Sequence, residues 1–135
     1  MYESIATIPT DIFLVMILGI HYVSDFLLQT RQMGENKGKS WKWLSIHVGV
    51  YTASLIMGMI LVSDSFQFAL TYSLLNGALH FMTDAITARI SGYFYLKSLE
   101  NKTDKPNWMY FFWSTIGLDQ LIHASTLILT LRLFI

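Results

Sequence analysis

The chain of 135 residues contains no cysteine, so disulfides and thiolate metal ligands are excluded, and any metal it holds must accept nitrogen and oxygen. Charge is scarce too: 13% of residues are charged and the net charge is zero, without the strongly basic footprint of a nucleic-acid binder. No basic residue precedes the first apolar run, and the opening MYESIATIPTD carries Glu3 and Asp11 instead. This is the wrong flank for a cleavable secretory signal, so the first apolar segment is expected to be retained. The interiors of the apolar runs hold no Lys or Arg, because every basic residue falls at a run's end. The Glu-x-x-His pattern of di-iron helical bundles is also missing.

What is abundant is apolar surface, with 53% hydrophobic and 15% aromatic residues. That composition predicts an all-α, polytopic membrane protein, one transmembrane domain over 1–135. Four segments reach the length of about 20 residues that a helix needs to cross a bilayer: Asp11 to Thr30, Lys42 to Val62, Phe66 to Arg89, and Met109 to Leu133. They predict a four-helix bundle. Polar connections are expected over Arg31 to Lys42 and over Gly92 to Asn107, which carries Lys97, Glu100, Lys102, Asp104, Lys105 and Pro106; only Ser63-Asp64-Ser65 joins the middle spans. Basic residues gather in the two long connections, so both are expected in the cytoplasm and both termini outside. Arg132, at the far end, dissents. Trp41, Trp43, Trp108 and Trp113 lie beside the long connections, as an interfacial belt would.

Each span carries one histidine, and three have an aspartate four residues away: His21 with Asp25, His80 with Asp84, and Asp119 with His123. His47 is the fourth. A spacing of four places each pair on one helix face. The first and third spans also echo each other, as His21-Tyr-Val-Ser-Asp25 and His80-Phe-Met-Thr-Asp84, which suggests a parallel repeat of two helical hairpins. Counting from the span ends at 1.5 Å per residue puts Asp25 and His47 roughly 8 Å below the cytoplasmic end. The set is therefore expected to meet in the cytoplasmic half, with His123 deepest. On the second span Ser45, Gly49 and Ala53 form a small-residue ridge suited to close helix contact.

Three intramembrane aspartates without a basic partner cost roughly 8–10 kcal/mol in total on insertion scales. Protonation, His⁺–Asp⁻ pairs or a cation must offset this. A lone membrane histidine is most often an interhelical hydrogen-bond partner, and protonated aspartates on neutral histidines would make a structural or proton-relay network. A divalent cation satisfies the whole set better. The expected ligands are His21, Asp25, His47, His80, Asp84, Asp119 and His123, around one or two ions; nitrogen and oxygen donors suit zinc first, then iron or manganese. Gln29, Asn76 and Gln120 are expected to hydrogen-bond the ligands, or to glue helices together. Arg31 and Arg89 are boundary residues that would stand near a lipid head group.

Read in order, His21-Tyr-Val-Ser-Asp25-Phe26-Leu-Leu-Gln29-Thr30, Asn36-Lys37, His47, Asn76-Gly-Ala-Leu-His80-Phe-Met-Thr-Asp84 and Asp119-Gln120-Leu-Ile-His123 resemble the bacterial and phage membrane family known as domain of unknown function 3307. The resemblance covers nearly the whole chain and implies the bacterial inner membrane, but carries little function. A looser similarity to small membrane-bound metal-dependent hydrolases is analogy.

The leading expectation is an intramembrane metallohydrolase acting on a lipid or lipid-linked substrate, with a carboxylate off the metal, Asp25 or Asp119, as general base. A divalent-metal transporter is the alternative, since two His-x-x-x-Asp sets are similar to the zinc site of cation diffusion facilitators. A third reading is a non-catalytic membrane factor stapled by a structural metal. A chain this small is free to form homo-oligomers, though no face announces one.

Overall fold

The computed structural model describes residues 10–100 and 107–134, and among them there is no strand. Helix α1 (Thr10–Tyr22) runs straight into a π-helical turn (Val23–Leu27); α2 (Arg31–Asn36), α3 (Trp41–Val62), α4 (Phe66–Glu100) and α5 (Trp108–Leu131) follow. Two segments, Thr10–Leu27 and Trp41–Val62, are long and apolar enough to cross a membrane, with mean hydropathies of 1.5 and 1.8. Side-chain caps set several helix starts. Thr30 Oγ1 accepts from the Met33 amide at 3.3 Å, Ser65 Oγ from the Phe68 amide at 3.2 Å, and Asn107 Oδ1 from the Tyr110 amide at 3.1 Å.

Phe13 and Ile17 of α1, Tyr51, Leu55 and Met59 of α3, Phe68, Ala69 and Tyr72 of α4, and Leu127 and Leu131 of α5 form one buried cluster. The starts of α1 and α4 thus meet the ends of α3 and α5, so neighbouring long helices run antiparallel. This end of the bundle is an apolar plug. Toward the other end the interior turns polar and encloses Asp25, His47, His80, Asp84, Asp119 and His123. Outside, the order is inverted: Val15, Met57, Leu61, Met82, Ile86, Leu121 and Leu129 are exposed.

Both long connections depart from the sequence expectation. Arg31 to Lys42 is not merely a polar link, because α2 forms within it and buries Met33. Helix α4 continues to Glu100 where a connection was expected from Gly92. After Gly92 the sequence has no further Gly or Pro before Pro106, and aromatic pairs hold the extension to α5: Phe94 lies 6.0 Å from Trp108 and 5.5 Å from Phe111 between ring centroids, and Tyr95 5.6 Å from Phe112. Glu3, Lys102, Asp104, Lys105 and Pro106, which entered the topology argument, lie outside the described residues.

The Ser45, Gly49, Ala53 ridge faces outward, and a Cβ added at Gly49 would meet no neighbouring element within 4 Å among the described residues. Close helix contact occurs at Gly77 instead, where an added Cβ would enter the hydroxyl and methyl of Thr52 on α3. Gly77→Ala is expected to cost about 1–3 kcal/mol by overpacking, and adding Thr52→Ala should recover part of that loss. Thermal unfolding of both variants in detergent measures it; a Gly77→Ala protein as stable as the parent would contradict the close approach.

Candidate metal centre

The π turn shapes the site first. Its ring closes when the Leu28 amide donates to the Val23 carbonyl at 3.0 Å, one residue further back than in an α-helix. The wider turn brings both Ser24 and Asp25, neighbours in sequence, into the interior. His47 enters from the start of α3, and His80 and Asp84 enter from consecutive turns of α4.

Four atoms from these elements converge. His47 Nε2 lies 3.1 Å from His80 Nε2, 3.1 Å from Asp25 Oδ1 and 3.2 Å from Asp84 Oδ2. His80 Nε2 lies 3.4 Å from Asp25 Oδ1 and 3.6 Å from Asp84 Oδ2. A tetrahedral ion with metal–ligand bonds of about 2.0–2.1 Å has ligand–ligand edges of about 3.3–3.4 Å. The observed separations bracket that value. Asp25 Oδ1 accepts no hydrogen bond among the described residues, although two imidazole nitrogens stand within 3.4 Å. An acceptor left unsatisfied inside a bundle is costly unless a cation meets it. The donor set therefore fits a divalent metal held by two imidazoles and two carboxylates.

Other side chains hold these ligands in place. The Tyr51 ring stacks on His80 at 3.9 Å between centroids and 8° between planes, and its hydroxyl is 3.2 Å from His21 Nδ1. Gln120 donates from Nε2 to Asp25 Oδ2 and Asp119 Oδ2, each at 3.0 Å, and its Oε1 is 3.2 Å from His21 Nε2. Thr87 donates to Asp119 Oδ1 at 2.5 Å.

Lys37 corrects the expectation that no basic residue reaches the aspartates. Its Nζ donates to Asp84 Oδ2 at 2.8 Å and stands 3.3 Å from His47 Nε2. It comes from the turn after α2, beside Gly38, whose missing side chain lets the turn lie against the Ala88 carbonyl of α4. Three carboxylates and one ammonium leave two negative charges, which a single divalent cation cancels when the histidines are neutral.

The remaining expected ligands border this set. His21, Asp25 and His123 form a second group of mutually close donors, and Asp84, Asp119 and His123 a third, within 4.8 Å in each case. His123 Nδ1 is 3.4 Å from Asp119 Oδ2, and its Nε2 is 3.8 Å from Asp84 Oδ1. Asn76 bonds to Tyr72 and Thr130 and to no member of the cluster, tying α4 to α5. Gln29 Oε1 is buried without a partner among the described residues. Arg31 is exposed and pairs with Glu35 at 2.6 Å, whereas Arg89 lies over the Trp41 ring at 4.1 Å and donates to the Ala85 carbonyl. Sequence reasoning gave no role to Lys37, Tyr51 or Thr87. Tyr51 had a visible signal, four residues after His47 on the same face; Lys37 had none beyond its place in the family motif.

A cavity of about 650 Å³ reaches the cluster from the basic end of the bundle. Asp25, Asp119 and Gln120 lie at the cluster, Lys37, Lys39 and Arg89 supply its charge, and Tyr93, Leu96, Phe112 and Ile116 line it with apolar surface.

No curated protein and no solved structure matches the chain. A family model does, over residues 12–135, from the start of α1 through the last of the clustered histidines and beyond. The chain therefore belongs to the family described as protein of unknown function (DUF3307), and His21, Asp25, His47, His80, Asp84, Asp119 and His123 all fall within the matched region.

Proposed function

We propose that the protein is a four-span membrane metalloprotein of the bacterial inner membrane, and that it hydrolyses a lipid or lipid-linked substrate at a divalent metal. The inverted distribution of α4 and α5 supports four spans: Met82, Ile86, Leu121 and Leu129 face out, while His80, Asp84, Asp119 and His123 face in. Lys37, Lys39, Arg89 and Lys97 lie in the parts of the chain expected in the cytoplasm, which supports a cytoplasmic-side site and external termini.

The observation that carries the metal is the set of four donors at tetrahedral edge lengths. Zinc suits it first, with iron and manganese next. Bound there, the metal would supply Lewis acidity toward a water or substrate oxygen that joins the four protein donors as a fifth ligand. His47, His80, Asp25 and Asp84 would hold it, so of the two expected general bases Asp25 is committed as a ligand. Asp119, off the four-donor set and beside the cavity, is the remaining base; Thr87 and Gln120 fix its orientation.

Four protein donors also describe a structural site, and two histidines with two aspartates a transport site. The cavity argues for catalysis over a staple, because it meets the cluster at Asp25 and Asp119. The buried apolar plug argues against transport, since it closes the interior on the other side of the cluster. Protein purified without added metal is expected to carry about one divalent ion per chain. His80→Ala should lose both the ion and hydrolysis of ester-linked lipids in mixed micelles. Absence of metal, or activity unchanged by His80→Ala, would refute the proposal; metal flux into proteoliposomes abolished by Asp84→Ala would assign transport instead.

A further inference from the structure

We propose that the cavity binds the phosphate group of an anionic amphiphile drawn from the cytoplasmic leaflet, which deepens the reading above by naming the substrate class. Charge is the first argument. Lys37, Lys39 and Arg89 are among the residues that line the cavity, and of the acidic groups around it Glu35 is paired with Arg31, while Asp25 and Asp119 are bonded to Gln120 at the cluster. No carboxylate among the described residues pairs with Lys39 or Arg89. Once a divalent ion cancels the charge of the cluster, these two cations remain unbalanced, and an anion complements them.

Pre-organisation is the second argument. Arg89 is held by stacking on Trp41 and by its bond to the Ala85 carbonyl. Gly38 rests on the neighbouring Ala88 carbonyl, so the turn bearing Lys37 and Lys39 is fixed to the same stretch of α4. A guanidinium and an ammonium presented in this way suit the several acceptor oxygens of a phosphate.

The third argument is the lining. Tyr93, Leu96, Phe112 and Ile116 offer an apolar wall that free phosphate would leave unused. The volume of about 650 Å³ lies within the range of small-molecule sites and accommodates a head group with the first part of its chain. An uncharged or cationic head group leaves Arg89 and Lys39 unanswered.

The test uses full-length, zinc-loaded protein in detergent, with binding followed by the fluorescence of its tryptophans, Trp41 beneath Arg89 among them. The probes are dioctanoyl phosphatidic acid, dioctanoylglycerol with the same chains and no phosphate, and inorganic phosphate. Phosphatidic acid is expected to bind at least tenfold more tightly than either control. Arg89→Gln is expected to weaken it about tenfold, as is Lys39→Gln, an exposed substitution without risk to folding, and both should leave metal content unchanged. Equal affinity for dioctanoylglycerol overturns the phosphate, equal affinity for inorganic phosphate overturns the amphiphile, and unchanged binding in both variants overturns the site. Metal retained with no preference for phosphatidic acid defeats this inference alone; phosphatidic acid bound by protein that holds no metal defeats the hydrolase alone.

Discussion

Stripping the metal with a chelator is expected to lower the melting temperature by roughly 10–20 °C, and one equivalent of zinc should restore it. The four donors come from the π turn, α3 and α4, so the ion joins three parts of the bundle that otherwise meet through like-charged carboxylates. Without it, two negative charges remain uncompensated in a buried site, where unpaired charge is strongly destabilising. An ion present at a thousand times its dissociation constant contributes about 4 kcal/mol. At this chain length each kcal/mol is worth roughly 2–6 °C. Melting followed by circular dichroism, before and after dialysis against chelator, measures the shift. Two variants localise it: His47→Ala should no longer respond to zinc, whereas His21→Ala, outside the four-donor set, should still respond. A melting curve indifferent to chelator and zinc would remove the metal from the site.

The contrast between His21 and His47 marks what the sequence could and could not convey. Periodicity showed that His21, Asp25, His80, Asp84, Asp119 and His123 share inward faces, because a spacing of four is a property of the helix alone. It also suggested that like motifs act alike, yet His80 and Asp84 enter the four-donor set together while His21 turns to Tyr51 and Gln120. Within each motif the separation is similar, 3.9 Å for His21 and Asp25 and 3.6 Å for His80 and Asp84, so the difference lies in what faces each histidine, Tyr51 and Gln120 in one case and His47 in the other, which no local pattern conveys. Helix close approach was equally hidden. A row of small residues predicted it at Gly49, but the close approaches are at Gly77, which Thr52 faces, and at Gly58, which Ile20 faces, and a facing residue is not local information. The extension of α4 past Gly92 depends on Phe94 meeting Trp108 and Phe111 of the next helix, again a tertiary fact.

Lys37 is where this matters most, since its omission made the site look more negative than it is. A polar residue between spans reads as solvated, and only the fold of α2 and the approach of Gly38 to α4 carry its ammonium inward. Its placement sets two opposed expectations for Lys37→Met. In metal-free protein the substitution should destabilise, because Asp84 loses the partner 2.8 Å from its Oδ2 and is left buried and charged. In zinc binding it should do the reverse, because the ammonium stands 3.3 Å from His47 Nε2 and repels an incoming cation. Zinc affinity is expected to rise about 10- to 100-fold in Lys37→Met and to fall more than 100-fold in Asp84→Asn, which removes a charged donor. Competition titrations against a zinc chelator give both constants, and melting of the two single variants and the double variant without metal should yield a coupling of about 1–3 kcal/mol. If Lys37→Met bound zinc as weakly as Asp84→Asn, the ammonium would support the ion rather than repel it, and the opposition between Lys37 and the metal would fail.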